Sequence, residues 1–167
     1  MKSDLELDSV RRLLNSEIEN PRSLLGPHIF RKNGRKAVSV RTFQPSSRRV
    51  WVCHQSHESP VPMQQIHPAG LFEATIPIPE NQESQFSCNQ VDMTQINYQI
   101  KAADQTGQVK TMHDPYAFDT FFTDLDLHLF GEGNNLRIYD KLGAQSRTIN
   151  GVTGVNFAVW APNAKSV

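Results

Sequence analysis

Cysteine is almost missing from this chain: Cys53 and Cys88 are the only two in 167 residues. Two thiols make no disulfide framework, so the fold must rest on its core, and a reducing cytoplasm is the compartment they suggest. Long apolar runs are missing too. None approaches the roughly 18 residues of a membrane-spanning helix. The opening MKSDLELDSVRR is polar and holds no apolar stretch of a secretory signal. Nor does either charge dominate, with 17 Lys and Arg against 17 Asp and Glu. The basic surplus of a protein that tracks a phosphate backbone is therefore absent, and a neutral partner fits better than nucleic acid or a membrane. Motifs of common chemistry are also lacking: there is no G-x-S-x-G, no Walker loop and no dinucleotide fingerprint.

What is present suits a soluble, mainly β domain. The hydrophobic share is 38% and the charged share 20%, and the length allows one domain or one and a fraction at about 150 residues each. Ser3 and Glu6 have the spacing of a capping box, and Leu7, Val10, Leu14 and Ile18 fall on one helical face that Pro21 ends. This predicts one short N-terminal helix. Asn33-Gly34 then marks a hairpin between Ile29–Lys32 and Lys36–Phe43. Further strands are expected at Arg49–His54, Met63–His67, Leu71–Ile76, Ile96–Ala103 and Gln108–Met112. Phe72, Ala74 and Ile76 alternate with polar residues, as do Tyr98, Ile100 and Ala102. Short alternating strands punctuated by turns at Pro45-Ser46-Ser47, His67–Gly70 and Asp104–Gly107 predict an antiparallel, Ig-like β-sandwich. Asn81–Gln95 reads as a polar loop. From Asp114 the pattern turns helical at Phe122, Leu125 and Leu129, with Gly131 and Gly133 as stops and a further helical turn over Leu136–Leu142 closed by Gly143.

The final stretch repeats an earlier one. Val155–Val167 lies over Val38–Val50 at a constant separation of 117 positions: Val155 on Val38, Phe157 on Val40, Trp160 on Phe43, Pro162 on Pro45. Each copy reads as a strand, a Pro-centred turn and the start of a second strand. The expected organisation is a sandwich over 1–113, a partly helical connector over 114–150, and the truncated first strand of a second sandwich over 151–167. A lone strand is marginal in water, so 151–167 is expected to be mobile or to borrow a neighbouring edge.

Few side chains suggest chemistry. Cys53, His54, His57 and His67 could hold a metal, but their irregular spacing reads as a strand running into a polar loop, and no metal or cofactor site is assigned. Asp124 and Asp126 sit two apart and read as solvated helix charges. Asp114 before Pro115 reads as a turn initiator. Arg31, Lys32, Arg35, Lys36, Arg41, Arg48 and Arg49 read as solvated hairpin residues rather than an anion patch. No catalytic set is found. Trp51, Tyr98 and Tyr116 are candidates for stacking on sugar rings, which takes a flat aromatic face and no charge. Trp160 is assigned to core packing because it overlies Phe43.

The chain resembles the N-terminal part of bacterial 1,4-alpha-glucan (glycogen) branching enzymes of the alpha-amylase family. Asp114-Pro115-Tyr116-Ala117-Phe118 carries the resemblance. So do Gly131-Glu132-Gly133-Asn134-Asn135-Leu136-Arg137-Ile138-Tyr139-Asp140-Lys141-Leu142-Gly143-Ala144 and Asn150–Ala164. The Glu132–Ala144 block is the more specific to branching enzymes. Asn150–Ala164 is similar to the opening of the glycan-binding-type module that precedes the catalytic barrel. Leu25-Gly26-Pro27-His28 and Gly70–Pro77 are similar to the family's extra N-terminal sandwich. The resemblance implies a parent that cleaves alpha-1,4 bonds and transfers the cut chain to a 6-hydroxyl with two barrel carboxylates. This chain would then be a non-catalytic region whose partners are an alpha-glucan such as glycogen or amylopectin and the remainder of the parent enzyme. A free-standing glucan-binding or purely structural module is the alternative.

Overall fold

A computed structural model describes residues 7–32, 34–54, 59–78, 98–118, 121–149 and 151–164. The chain forms two compact units, Met1–Ala117 and Phe118–Val167. The expected Asn81–Gln95 loop, the Ser3/Glu6 capping box and the last residues of the repeat lie outside the described residues.

The first unit opens with helix α1, Leu7–Leu14. Val10 is 5% exposed, and Leu13 and Ile18 pack beside it on Leu24, Leu25 and Leu71. Leu14, expected on the buried face, is 41% exposed. The helix is only two turns long, so Val10 and Leu13, three apart, define its inner stripe. A 3-10 turn, Pro21–Ser23, follows, capped by the Asn20 side chain, which accepts from the Arg22 N–H.

Among the described residues of this unit, eight strands then form two four-stranded antiparallel sheets. In chain order they are β1 Gly26–Lys32, β2 Arg35–Phe43, β3 Ser47–His54, β4 Val61–Pro62, β5 Gln64–His67, β6 Leu71–Pro77, β7 Tyr98–Asp104 and β8 Val109–His113. One sheet runs β1-β2-β6-β5 and the other β4-β3-β7-β8. Their apolar faces meet in one core: Val38, Val40, Phe72, Ala74 and Ile76 from the first, Val50, Val52, Tyr98, Ile100 and Ala102 from the second. This is the sandwich that the alternation predicts. The expected single strand Met63–His67 is instead two short ones. Val61–Pro62 pairs with β3 and Gln64–His67 pairs with β6, so the chain changes sheets at Met63. Met63 is 8% exposed, and its N–H donates to Val50 O at 2.9 Å. An inward side chain at the crossing point fills the corner between the sheets.

The second unit holds helix α2, Asp124–Gly131, a 3-10 turn, Ile138–Asp140, and the antiparallel hairpin β9 Gly143–Ile149 with β10 Val152–Ala158. Phe122 precedes the helix because Thr123 caps it. The Thr123 hydroxyl accepts from the Asp126 N–H while the Asp126 carboxylate accepts from the Thr123 N–H at 2.8 Å. Gly143, expected to close a helical turn, opens a strand. The stretch read as connector therefore supplies the edge on which Val152–Ala158 pairs.

The repeat is much longer than its last thirteen residues. Shifted by 117 positions, α1 lies on α2, the 3-10 turn Pro21–Ser23 on Ile138–Asp140 and β1 on β9, end for end, and β2 starts where β10 starts. The hairpin registers coincide as well: Ile29 pairs with Val38, and Ser146 with Val155. Leu24 and Leu25 donate to Pro21 O, and Lys141 and Leu142 donate to Ile138 O. The glycines that open the hairpins have the same left-handed backbone, φ 87° at Gly26 and 83° at Gly143, and so do the turn glycines, 80° at Gly34 and 78° at Gly151. Such angles suit glycine because it has no Cβ.

Candidate functional site: the outer face of the second sheet

Strand alternation decides what faces outward. Val50 and Val52 point into the core at 2% and 0% exposure, so Trp51 between them lies on the outer face of β4-β3-β7-β8, half-buried. Its neighbours across the sheet are Pro62 on β4 and Lys101 on β7, and Lys101 stands opposite Thr111 on β8. The next row is Cys53, Gln99 and His113, with Gln99 Nε2 and the His113 Nε2 3.1 Å apart. The Arg49 guanidinium carbon lies 5.8 Å from the Trp51 ring centre. The face thus offers one flat aromatic ring set among amide, hydroxyl and cationic groups. That combination suits a neutral polyol, which presents an apolar ring face and peripheral hydroxyls.

Tyr98 and Tyr116 stand elsewhere. Tyr98 is 2% exposed and its ring lies in the core, which leaves no face for a sugar. Its hydroxyl donates to Asp114 Oδ2 at 2.5 Å. The other Asp114 oxygen accepts from the Tyr116 N–H at 2.9 Å. Burial pushes the Asp114 carboxyl above the ordinary carboxylate range. Burial, then the neighbouring Asp114, pushes the Tyr98 phenol far up. Tyr116 packs in the helix-side cluster, and Arg22 donates to its carbonyl at 3.2 Å. A Cβ on Gly26 would stand 2.7 Å from Tyr116 Cβ. Asp114 is therefore more than a turn initiator: it pins two strand ends and the exit from the sandwich. Nothing local in the sequence marks it, since its partner lies 16 positions away on β7.

Other assignments change with the geometry. Asp126 is not a solvated charge. It receives Lys141 Nζ as well as Thr123, and these donors, Lys141 first, hold its carboxyl down to about 2. Arg41 is not a solvated hairpin residue. Its Nε donates to Glu73 at 2.8 Å, beside the Ser39 hydroxyl at 2.7 Å. Trp160 is 62% exposed and meets Phe130 edge-on at 4.8 Å, because the described hairpin has no facing sheet to cover it. Cys53 and His67 belong to strands of different sheets, and His57 lies outside the described residues.

Two four-stranded antiparallel sheets packed on one apolar core define a β-sandwich domain. The chain belongs to the family of the alpha-1,4-glucan branching enzyme GlgB N-terminal domain, whose family model matches residues 6–116. It is 39% identical over 167 residues to the 1,4-alpha-glucan branching enzyme GlgB of Rhodopirellula baltica, covering 100% of this chain and 21% of the relative. It is 38% identical over 161 residues to those of Thermosynechococcus vestitus and Trichormus variabilis, covering 96% of this chain and 19% of each. The chain thus spans about a fifth of the length of the curated relatives it matches and corresponds to their N-terminal, non-catalytic region. A solved catalytic module of the glycogen-degrading factor SpuA matches 52% of this chain and 12% of its own at 19% identity, with a TM-score of 0.31. That likeness is too slight to bear on the fold.

Proposed function

We propose that the chain serves a 1,4-alpha-glucan branching enzyme as a glucan-orienting N-terminal region, with Trp51 as the stacking platform. The parent would cut alpha-1,4 bonds and rejoin the chains as alpha-1,6 branches, using carboxylates that this chain does not carry. The reading rests on Trp51 lying on an outward sheet face beside Pro62, Lys101 and Thr111, in a member of a branching-enzyme family. A neutral polymer accords with the balanced charge, and a cytoplasmic setting with the two cysteines. No helix among the described residues is long and apolar enough to cross a membrane.

Native electrophoresis through glycogen tests it. Retardation of the chain, lost in Trp51→Ala and increased in Arg49→Ala, is the expected result. The second reading is a purely structural domain that positions the catalytic part. It is favoured by Arg49, which already lies over the Trp51 ring. An unretarded chain in both wild type and Arg49→Ala would remove the glucan platform and leave the structural role.

A further inference from the structure

At one position of the repeat the first copy carries a titratable ring where the second carries an amide. His28 lies on β1 beside Ile29, which packs on the core between the sheets. By alternation His28 faces the opposite, outer surface of the first sheet. There it stands across from Ser39, with Arg41 and Glu73 paired in the neighbouring row. The carbonyls of Leu24 and Leu25 accept from its ring. His28 Nε2 is buried and has no hydrogen-bond partner, so the donor to those carbonyls is Nδ1.

The residue 117 positions later is Gln145. Its Nε2 donates to the carbonyls of Tyr139 and Leu142, each at 3.2 Å. Tyr139 and Leu142 are the counterparts of Arg22 and Leu25. Both copies thus tie the end of the 3-10 turn to the first strand of the hairpin through this one side chain. An amide is enough for that tie. What the imidazole adds in the first copy is a second nitrogen that can take a proton.

The setting makes that proton costly. The charged groups that bear on the ring are Arg41 from β2 and Glu73 from β6. Glu73 Oε1 already accepts from the Ser39 hydroxyl at 2.7 Å and from Arg41 Nε at 2.8 Å. A proton on Nε2 would make a buried donor without an acceptor, close to a guanidinium. Burial first, then Arg41, accordingly hold the ring below its ordinary 6.5. The folded form binds this proton less readily than an opened form. Closure is therefore fully favoured above 6.5 and weakens as pH falls towards the lowered value. The segment that the ring holds can open separately. Leu24 and Leu25, 2% and 4% exposed, cluster with Val10 and Leu71 on the helix side, apart from the core between the sheets.

We infer that His28 is an acid-sensitive latch: protonation of its buried Nε2 releases the Leu24–Leu25 corner, and helix α1 with it, while the sandwich stays closed. The device belongs to the first copy alone, since Gln145 makes the equivalent tie without a titrating group.

Hydroxyl-radical footprinting of the full chain tests it, at about pH 7.5 and about pH 5, either side of the ordinary histidine range. Wild type is compared with His28→Gln, which installs the side chain of the second copy. The expected result is a several-fold rise in oxidation of Leu24 and Leu25 on acidification of wild type, and none in His28→Gln. Phe72 and Ile100 should stay protected in both proteins. No rise in wild type overturns the latch. An equal rise in His28→Gln also overturns it, because another group then drives the opening. So does oxidation of Phe72 rising together with that of Leu24, since the whole sandwich is then unfolding. Should His28→Gln not fold, an NMR titration of wild type decides the point. The His28 ring must titrate below 6.5, in step with the methyl groups of Leu24 and Leu25. Titration of the ring with those methyl groups unmoved overturns the proposal.

Discussion

The two units share one plan and differ in almost everything that burial decides. Helix, 3-10 turn and glycine-framed hairpin recur at the same spacing with the same backbone angles. Yet the first unit buries Val38, Val40 and Leu24 to 3% exposure or less, while no described residue of the second unit between 121 and 164 is buried. Local structure is therefore specified by the segment itself, through caps, turn glycines and hairpin register. Burial comes from what the rest of the chain lays on top. Where the first unit has Ser9 and the buried Leu24, the second has Asp126 and Lys141, an ion pair. An open unit satisfies its corner with charge where the closed one uses a core.

The comparison can be broken most sharply at Phe72 and Phe157. Truncation of a fully buried Phe costs about 3–5 kcal/mol, and Phe72 is 2% exposed. Phe72→Ala should destabilise the first unit by that amount in urea denaturation, read at Trp51 in a Trp160→Phe background. Phe157→Ala, at a side chain 76% exposed, should stay within about 0.5 kcal/mol, read at Trp160 with Trp51→Phe. Comparable losses at both sites would mean that Phe157 is buried in solution.

The glycines that open the two hairpins give the next largest effect. Gly26→Ala and Gly143→Ala share the same backbone strain, about 1–2 kcal/mol. Only at Gly26 does the new Cβ meet Tyr116, at 2.7 Å, which adds roughly 1–3 kcal/mol of overpacking. Unfolding free energies of the two variants should differ by that second amount, and equal losses would remove Tyr116 from its place over β1.

Removing one hydroxyl tests the exit of the first sandwich. Tyr98→Phe leaves an oxygen of the buried Asp114 without its donor, a loss of about 1–3 kcal/mol. Combining Tyr98→Phe with Asp114→Asn should recover part of it, and no recovery would place the cost elsewhere than in the carboxylate.

Acid gives the smallest and most discriminating effect, because the two units carry carboxyls shifted in opposite directions. Asp126 is held below its ordinary 3.8, at about 2. The folded form binds its proton less readily than the unfolded, so its stabilisation is complete above 3.8 and fades as pH falls towards 2. Asp114 is raised by burial. Its folded form keeps the proton longer, so its contribution is best at low pH and is lost as pH rises through the folded value. The Trp160 transition should weaken on acidification and lose that dependence in Asp126→Asn, whereas the Asp114 contribution read at Trp51 should run the other way. A common pH dependence at both tryptophans would dissolve the distinction.

Much of the first unit was legible. The Phe72/Ala74/Ile76 and Tyr98/Ile100/Ala102 alternations state which face is buried, and Asn33-Gly34 states where the hairpin turns. The crossing at Met63 was not legible, because a residue that leads from one sheet to the other carries no periodic signal. Of the candidate stacking residues, alternation puts Trp51 outside only if Val50 and Val52 point inward, and their burial in the structure supplies that condition. The same alternation, followed through for Tyr98 with Ile100 and Ala102, already argues for burial, and the structure removes it from the surface.

By itself the sequence determined most local elements of the first unit and the recurrence of its Val38–Val50 segment, because caps, turn glycines and side-chain periodicity act over a few residues. The tertiary structure alone decided which apolar faces found cover, that Asp114 is a buried acceptor of Tyr98, and that Asp126 meets Lys141. Those outcomes depend on segments distant in the chain being brought within a few ångströms, and no local pattern encodes that distance.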